Sequence, residues 1–186
     1  NSYTDKIDLT VADGSEPWGS LTAFTNGKLY GHARSGGASN NGVIFEYEYT
    51  TNTYTKKIDL EFITGASPQG GLTVAGNGKL YGITTLGGLE AGVIFQYDQP
   101  SNTYVKKKDF GTSLSGARPV GALAAGGNGK LYGLTTQGGI NNLGTIYEFD
   151  FIANSYEKKI DLSVNNGYLP MGSLMKAGNG KMYGIL

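Results

Sequence analysis

The chain of 186 residues has no cysteine, one histidine and five prolines. Without cysteine there are no disulfides and no thiolate metal sites, and the redox compartment stays open. A lone histidine, His32, cannot build a zinc centre by itself, and no HExxH pair, GxSxG elbow, Walker sequence or GxGxxG leading into a helix is present. Neither sign of charge is in excess. Fifteen basic against fifteen acidic residues argue against the broad electrostatic footprint that nucleic acid requires. No apolar run reaches membrane length and no long stretch has helical amphipathicity, so neither membrane insertion nor a helical fold is expected. The chain opens at Asn1 with neither methionine nor an apolar signal segment, which reads as a processed or cut piece of something larger. No cofactor is expected.

What the chain has is glycine, tyrosine and a period. There are 31 glycines and 13 tyrosines, a composition suited to a turn-rich all-β protein. Asn-Gly-Lys occurs at residues 26–28, 77–79, 128–130 and 179–181, always 51 residues apart. Pro17, Pro68, Pro119 and Pro170 keep the same step, and so do the glycine pairs 36–37, 87–88 and 138–139. A repeat of this length is one supersecondary unit that must stack on its neighbours to bury a core.

Each period resolves into four short strands. Strand a is a run of small residues (19–23, 70–74, 121–125, 172–176) closed by Asn-Gly, which predicts a two-residue type I′ turn. Strand b follows at 79–85 in the second repeat, strand c at 92–98 and strand d at 103–110. Four strands joined by short turns form an antiparallel meander, and four-stranded units at this spacing point to propeller blades rather than a sandwich. Small residues place strand a innermost, where blades converge on an axis. The lysine pairs 56–57, 106–107 and 158–159 place strand d outermost, where lysine blunts edge pairing. The expected fold is therefore an all-β, propeller-like array of four-stranded antiparallel blades with about 3.6 repeats present. Its parts are an orphan outer strand over 1–9, blades over 17–60, 68–110 and 119–162, and strands a and b of a fourth blade over 170–186.

A glycine pair ending strand b, an aromatic-Asp ending strand c (Tyr97-Asp98, Phe149-Asp150) and an aromatic early in strand d resemble the kelch-type propeller repeat. Tyr3, Tyr54, Tyr104 and Tyr156 stand where kelch repeats usually carry tryptophan. The string LYGxTxxGG…GxIFxYD…NxYxKKxDF is also similar to the GloVer-type tandem repeats of secreted bacterial proteins. The resemblance covers every repeat. It implies a propeller architecture and an extracellular or cell-surface setting, and it implies no particular activity, because propellers host many functions.

A residue present in every repeat serves every blade. Asp8, Asp59, Asp109 and Asp161 are expected to accept backbone N–H groups in the next turn, and the tyrosines of b and d to pack between blades. Function would sit where repeats differ. Trp18, His32 and Arg34 make the first repeat unusual, and the b–c loops carry Asn40, Asn41, Glu90, Asn141 and Asn142. Amide-rich loops flanked by aromatics suit a glycan by stacking and paired hydrogen bonds, although Asn also forms turns with no ligand. The unpaired strands at the two ends, with Tyr3, Asp5, Lys6, Ile7, Met182, Tyr183 and Ile185, are candidate assembly surfaces, to be completed by the rest of a longer repeat chain or by a second copy through strand addition. Three functions stay open: a non-catalytic structural or adhesive module that self-assembles, a glycan- or protein-binding propeller, and, least favoured, a kelch-like enzyme.

Overall fold

The computed structural model describes residues 4–89, 91–111 and 114–186. Strands β1 (Thr22–Ala23), β2 (Leu29–Ala33), β3 (Val43–Glu48) and β4 (Thr53–Asp59) form blade 1. Strands β5 (Ala66–Val74), β6 (Leu80–Leu86), β7 (Val93–Asp98) and β8 (Thr103–Asp109) form blade 2. Blade 3 is built from β9 (Ala117–Ala125), β10 (Lys130–Gln137), β11 (Thr145–Asp150) and β12 (Ser155–Asp161). The pair β13 (Met175–Lys176) and β14 (Met182–Tyr183) begins a fourth. Within each blade the strands lie in chain order and pair antiparallel, so the fold is all-β, with one 3-10 turn at Phe62–Thr64 among the described residues.

The blades fan around the innermost strands, and glycine fixes how closely they meet. Gly19, Gly70, Gly121 and Gly172 are 51 residues apart. A Cβ on Gly19 would strike the carbonyl of Gly70, one on Gly70 would strike Gly121, and one on Gly121 would strike Gly172. Gly70 and Gly121 also have φ of +74° and +69°, in the region where glycine alone is unstrained. Alongside this staircase the Thr22 hydroxyl donates to the Leu72 carbonyl and that of Thr73 to the Leu123 carbonyl, each at 2.6 Å. The bulky strands then meet in layers. Tyr30, Ile44 and Leu60 of blade 1 pack on Leu72, Phe95 and Tyr97 of blade 2. Tyr81, Ile83 and Ile94 of blade 2 pack on Leu123, Tyr147 and Phe149 of blade 3.

Several expectations change in detail. The Asn-Gly turn is a three-residue loop: Gly27 donates its N–H to the Phe24 carbonyl, Phe24 donates to Lys28, and Gly27 is the left-handed residue at φ +77°. That is a type I turn followed by a glycine bulge. Asn26 is there for its side chain, whose Oδ1 accepts from Lys28 N and whose Nδ2 donates to Tyr30 Oη. The aspartates ending strand d accept N–H bonds, but from the b–c loop of their own blade: Asp59 from Ala38 and Asp161 from Ile140. The second glycine of each pair lies where a Cβ would collide with that carboxylate. The first lysine of each pair folds onto the same aspartate, at 2.9, 3.0 and 2.7 Å in blades 1 to 3. The second lysine lies at a bulge, where the c–d register shifts.

The outer strand expected over 1–9 is not formed across residues 4–9, and Tyr3 lies outside the described residues. Residues 4–9 still occupy the place of one. Asn52 Nδ2 donates to the Lys6 carbonyl at 3.4 Å, as Asn102 Nδ2 donates to the carbonyl of Lys57, one period on, at 3.5 Å.

Candidate assembly and binding sites

The first-repeat residues separate into two places. Trp18 is 62% exposed, and the Arg34 guanidinium lies over its ring at 4.4 Å. Arg34 is held by Glu16 at 3.5 Å, and Ser35 Oγ donates to the same carboxylate. Glu16 has φ of +56°, a left-handed conformation shared by Ser67, Arg118 and Leu169 at the same repeat position. In the last three the residue's N–H donates to the preceding b–c loop, at Asn41, Ala91 and Leu143. The result is a stacked indole–guanidinium surface with an acid at its edge.

His32 does not join it. Cross-strand pairing sets His32 opposite Ile44, and alternation turns both toward blade 2. The imidazole is 3% exposed, and among the described residues neither ring nitrogen has a partner in good hydrogen-bond geometry. Burial pulls its pKa down to about 4, and the carbonyls of Gly70 and Gln69 only partly oppose that. It is a neutral wedge between two blades.

The b–c loop amides are engaged in the scaffold. Asn40 Oδ1 accepts from Gly36 N and Asn142 Oδ1 from Gly138 N, at 2.8 and 2.9 Å. Asn141 Nδ2 donates to the Leu162 carbonyl, and Asn41 contributes its own carbonyl to Ser67. Glu90 lies outside the described residues. Each of these loops contacts the blade that follows it, so the structure does not gather the asparagines into one cluster.

The two ends expose what the middle buries. Leu21 is 51% exposed, whereas Leu72, one period on, is 4% exposed. Leu21, Gly31, Phe45 and Tyr54 face a groove of about 380 Å³ whose other wall is residues 4–9, with Asp5, Lys6 and Ile7 along it. At the far end Met182 is half-buried while Tyr183 and Ile185 are exposed, beside a hollow of about 300 Å³.

A polar network went unremarked in the sequence because it alternates with the core. Tyr30 Oη donates to Glu46, and Lys28 Nζ pairs with the same carboxylate at 2.8 Å. Burial alone would raise the Glu46 carboxyl, but Lys28 and Tyr30 outweigh it and hold it below the usual carboxylate range. Burial and the acid together push the Tyr30 hydroxyl up to about 12. In blade 2 the same position is neutral, with Tyr81 Oη donating to Gln96 Oε1 at 2.9 Å. In blade 3 Lys130 pairs with Glu148 at 2.5 Å. The signal available was a Glu or Gln between two aromatics in every strand c.

The Gloeobacter/Verrucomicrobia repeat matches residues 1–186. The chain belongs to that family. No curated protein matches the sequence. Among solved structures, this Gloeobacter/Verrucomicrobia repeat chain is similar to TolB from Acinetobacter baumannii, at 15% identity over 92% of this chain and 37% of that one, with a TM-score of 0.57. It is similar to a chain of the nidogen/laminin complex at 15% identity, 85% and 51% coverage and a TM-score of 0.58. The extracellular domain of the BT4673 one-component system from B. thetaiotaomicron matches at 13% identity, 86% and 17% coverage and a TM-score of 0.54. The chain therefore spans about 37% and 51% of the first two structures' lengths. At these identities the shared property is the fold, a propeller-type array of blades.

Proposed function

We propose that this repeat chain is a non-catalytic structural or adhesive module of an extracellular protein, which assembles by strand complementation at its terminal blades. One observation carries the reading: the polar residues that recur in the repeats are spent on the scaffold. Tyr54 Oη donates to the Asp13 carbonyl, Tyr104 Oη to Thr64 and Tyr156 Oη to Ser115, each tying an outer strand to the loop that enters its blade. The aspartates, lysines and asparagines brace loops in the same way. The extracellular setting draws on the family resemblance and on likeness to an extracellular sensor domain. Light scattering with electron microscopy of the purified chain tests it. Particles larger than one chain are expected; turnover on a broad panel of ester, glycoside and peptide substrates would overturn the non-catalytic reading.

A second reading, a glycan- or protein-binding propeller, is favoured by the exposed Trp18 with Arg34 stacked on it. Indole faces and guanidinium groups are common anchors in recognition surfaces. Saturable binding on a glycan array that disappears in Trp18→Ala is the expected sign of that role.

A further inference from the structure

Six Asn-Gly pairs occur in the chain, at residues 26–27, 41–42, 77–78, 128–129, 166–167 and 179–180. Asparagine before glycine is prone to react with its own backbone. The glycine nitrogen attacks the side-chain amide, and glycine, with no Cβ, neither shields that nitrogen nor resists the rotation the attack needs. Which pair reacts then depends on what holds the two groups.

In three of the four a–b turns both are held. Oδ1 of Asn26, Asn77 and Asn179 accepts from the N–H of Lys28, Lys79 and Lys181 at 3.0, 3.2 and 3.0 Å. Nδ2 of each donates to the hydroxyl of Tyr30, Tyr81 or Tyr183. The glycine N–H donates to the carbonyl of Phe24, Ala75 or Ala177 at 3.1, 2.9 and 2.9 Å. In the two loop pairs, Gly42 is buried with its N–H donating to Gly36, and the Asn166 amide makes three side-chain bonds, two accepted from Ser163 and one donated to the Asp161 carbonyl.

The turn of the third repeat is built differently. Gly126-Gly127 precedes Asn128, where the other repeats have Phe24-Thr25, Ala75-Gly76 and Ala177-Gly178. Gly127 has φ of +79°, whereas none of Thr25, Gly76 and Gly178 is left-handed. Among the described residues the Gly129 N–H has no acceptor in good hydrogen-bond geometry, and the bond from Lys130 N to the asparagine Oδ1 is not made. The exposed Asn128 keeps its contact with the Tyr132 hydroxyl. Lys176 Nζ also lies on this turn, donating to the Gly126 carbonyl at 2.5 Å, where the other repeats carry Ala23, Val74 and Ala125. A nearby cation favours the anionic nitrogen that makes the attack.

We propose that Asn128-Gly129 is a self-modification site of the folded chain, converting to aspartate and isoaspartate ahead of the other five pairs. Gly129 N gives its proton to solvent base and bonds to Asn128 Cγ. The Cγ–Nδ2 bond breaks, Nδ2 takes up a proton and leaves as ammonia, and a succinimide ring remains. Water then opens the ring at either carbonyl, with no change of oxidation state. The new carboxylate stands on the turn that Lys176 covers, where blade 3 meets β13. The inference is independent of assembly.

The folded chain, held in mildly alkaline buffer and sampled over days, is digested and mapped by mass spectrometry. Each bond that must break before attack slows the reaction about fivefold, so Asn128 should convert at least about tenfold faster than Asn26, Asn77 or Asn179. In urea, where no turn is held, the six pairs should convert at similar rates. Gly127→Thr restores the residue of the first repeat and disfavours the left-handed turn, so it should slow Asn128 toward the rate of Asn26. Comparable rates at Asn26 and Asn128 in the folded chain overturn the proposal. So does a lead of Asn128 that persists unchanged in urea, which would place its cause in the local sequence rather than in the turn.

Discussion

Blade 1 and blade 2 carry the same pattern at the same step, yet their innermost strands differ. β5 runs nine residues, Ala66–Val74, while β1 holds two, Thr22–Ala23. Blade 2 has a blade in front of it: Ser67 donates to the Asn41 carbonyl, and the Pro68 ring lies where a Cβ on Gly42 would reach it. In blade 1, among the described residues, the equivalent stretch is bonded to its own sheet, through Arg34 N to Glu16 O and the Ser15–Ser35 bridge. The difference teaches that a run of glycine and small residues is ordered by its neighbours. Such residues lose much backbone entropy on ordering and bring little side-chain packing.

The largest effect should come from the glycine staircase, and only inside it. Gly70→Ala adds a methyl against the Gly121 backbone at φ +74°. The left-handed backbone alone costs about 1–2 kcal/mol, and moving a blade away adds more, for roughly 4 kcal/mol or more in total. Gly172→Ala, at the same repeat position, meets nothing within 4 Å and should stay within about 0.5 kcal/mol. Urea unfolding followed by circular dichroism measures both. Equal losses would mean the staircase does not set the spacing. Leucine gives the next contrast. Leu72→Ala, at a site 4% exposed, should cost about 3 kcal/mol by transfer and cavity terms. Leu21→Ala, half exposed, should cost about 1 kcal/mol or less.

The architecture was legible because a period leaves marks that need no energetics. Asn-Gly-Lys, the proline and the glycine pair locate every blade. The period even survives a compensated shift: the second repeat's b–c loop is one residue shorter and its d–a connection one longer. What the sequence hid were effects that depend on a neighbouring blade. The chemistry of Asn-Gly suggested a two-residue turn, but Asn26 is chosen for Tyr30 across the strand. Lys56 looked like an edge guard, yet it reaches Asp59 and the Ala12 carbonyl. Trp18, His32 and Arg34 belong to one repeat, but His32 lies within β2 and is buried in the seam, whereas Arg34 lies past the end of that strand, over the exposed Trp18.

That seam separates the blades chemically as well. His32 lies between blades 1 and 2, while Ile83 holds the same place between blades 2 and 3. The His32 pKa is about 4 when folded, against an unperturbed 6.5. The unfolded chain therefore binds more protons between those values, and stability falls as pH drops through that window. His32→Ile should remove a cost of roughly 2 kcal/mol that the parent chain takes on between pH 7 and pH 4.5, besides relieving an unpaired buried polar group. Urea midpoints at the two pH values check it; parallel pH profiles for parent and variant would remove His32 from the account.

The smallest contrast is one that should vanish. Thr22 and Thr73 make the same 2.6 Å bond to the blade that follows them, and both blades have one. If the irregularity of blade 1's inner strand is confined to the side facing away from blade 2, its rearward staple should be as strong as that of blade 2. Thr22→Val and Thr73→Val should then each cost about 1 kcal/mol, the usual net worth of one such bond, and do so within a few tenths of each other. Equal losses in urea midpoint would confine the irregularity to residues 17–21. A loss at Thr73 alone would mean that blade 1 is loose throughout, and that its seam with blade 2 is held by Tyr30, Ile44 and Leu60 rather than by the axis.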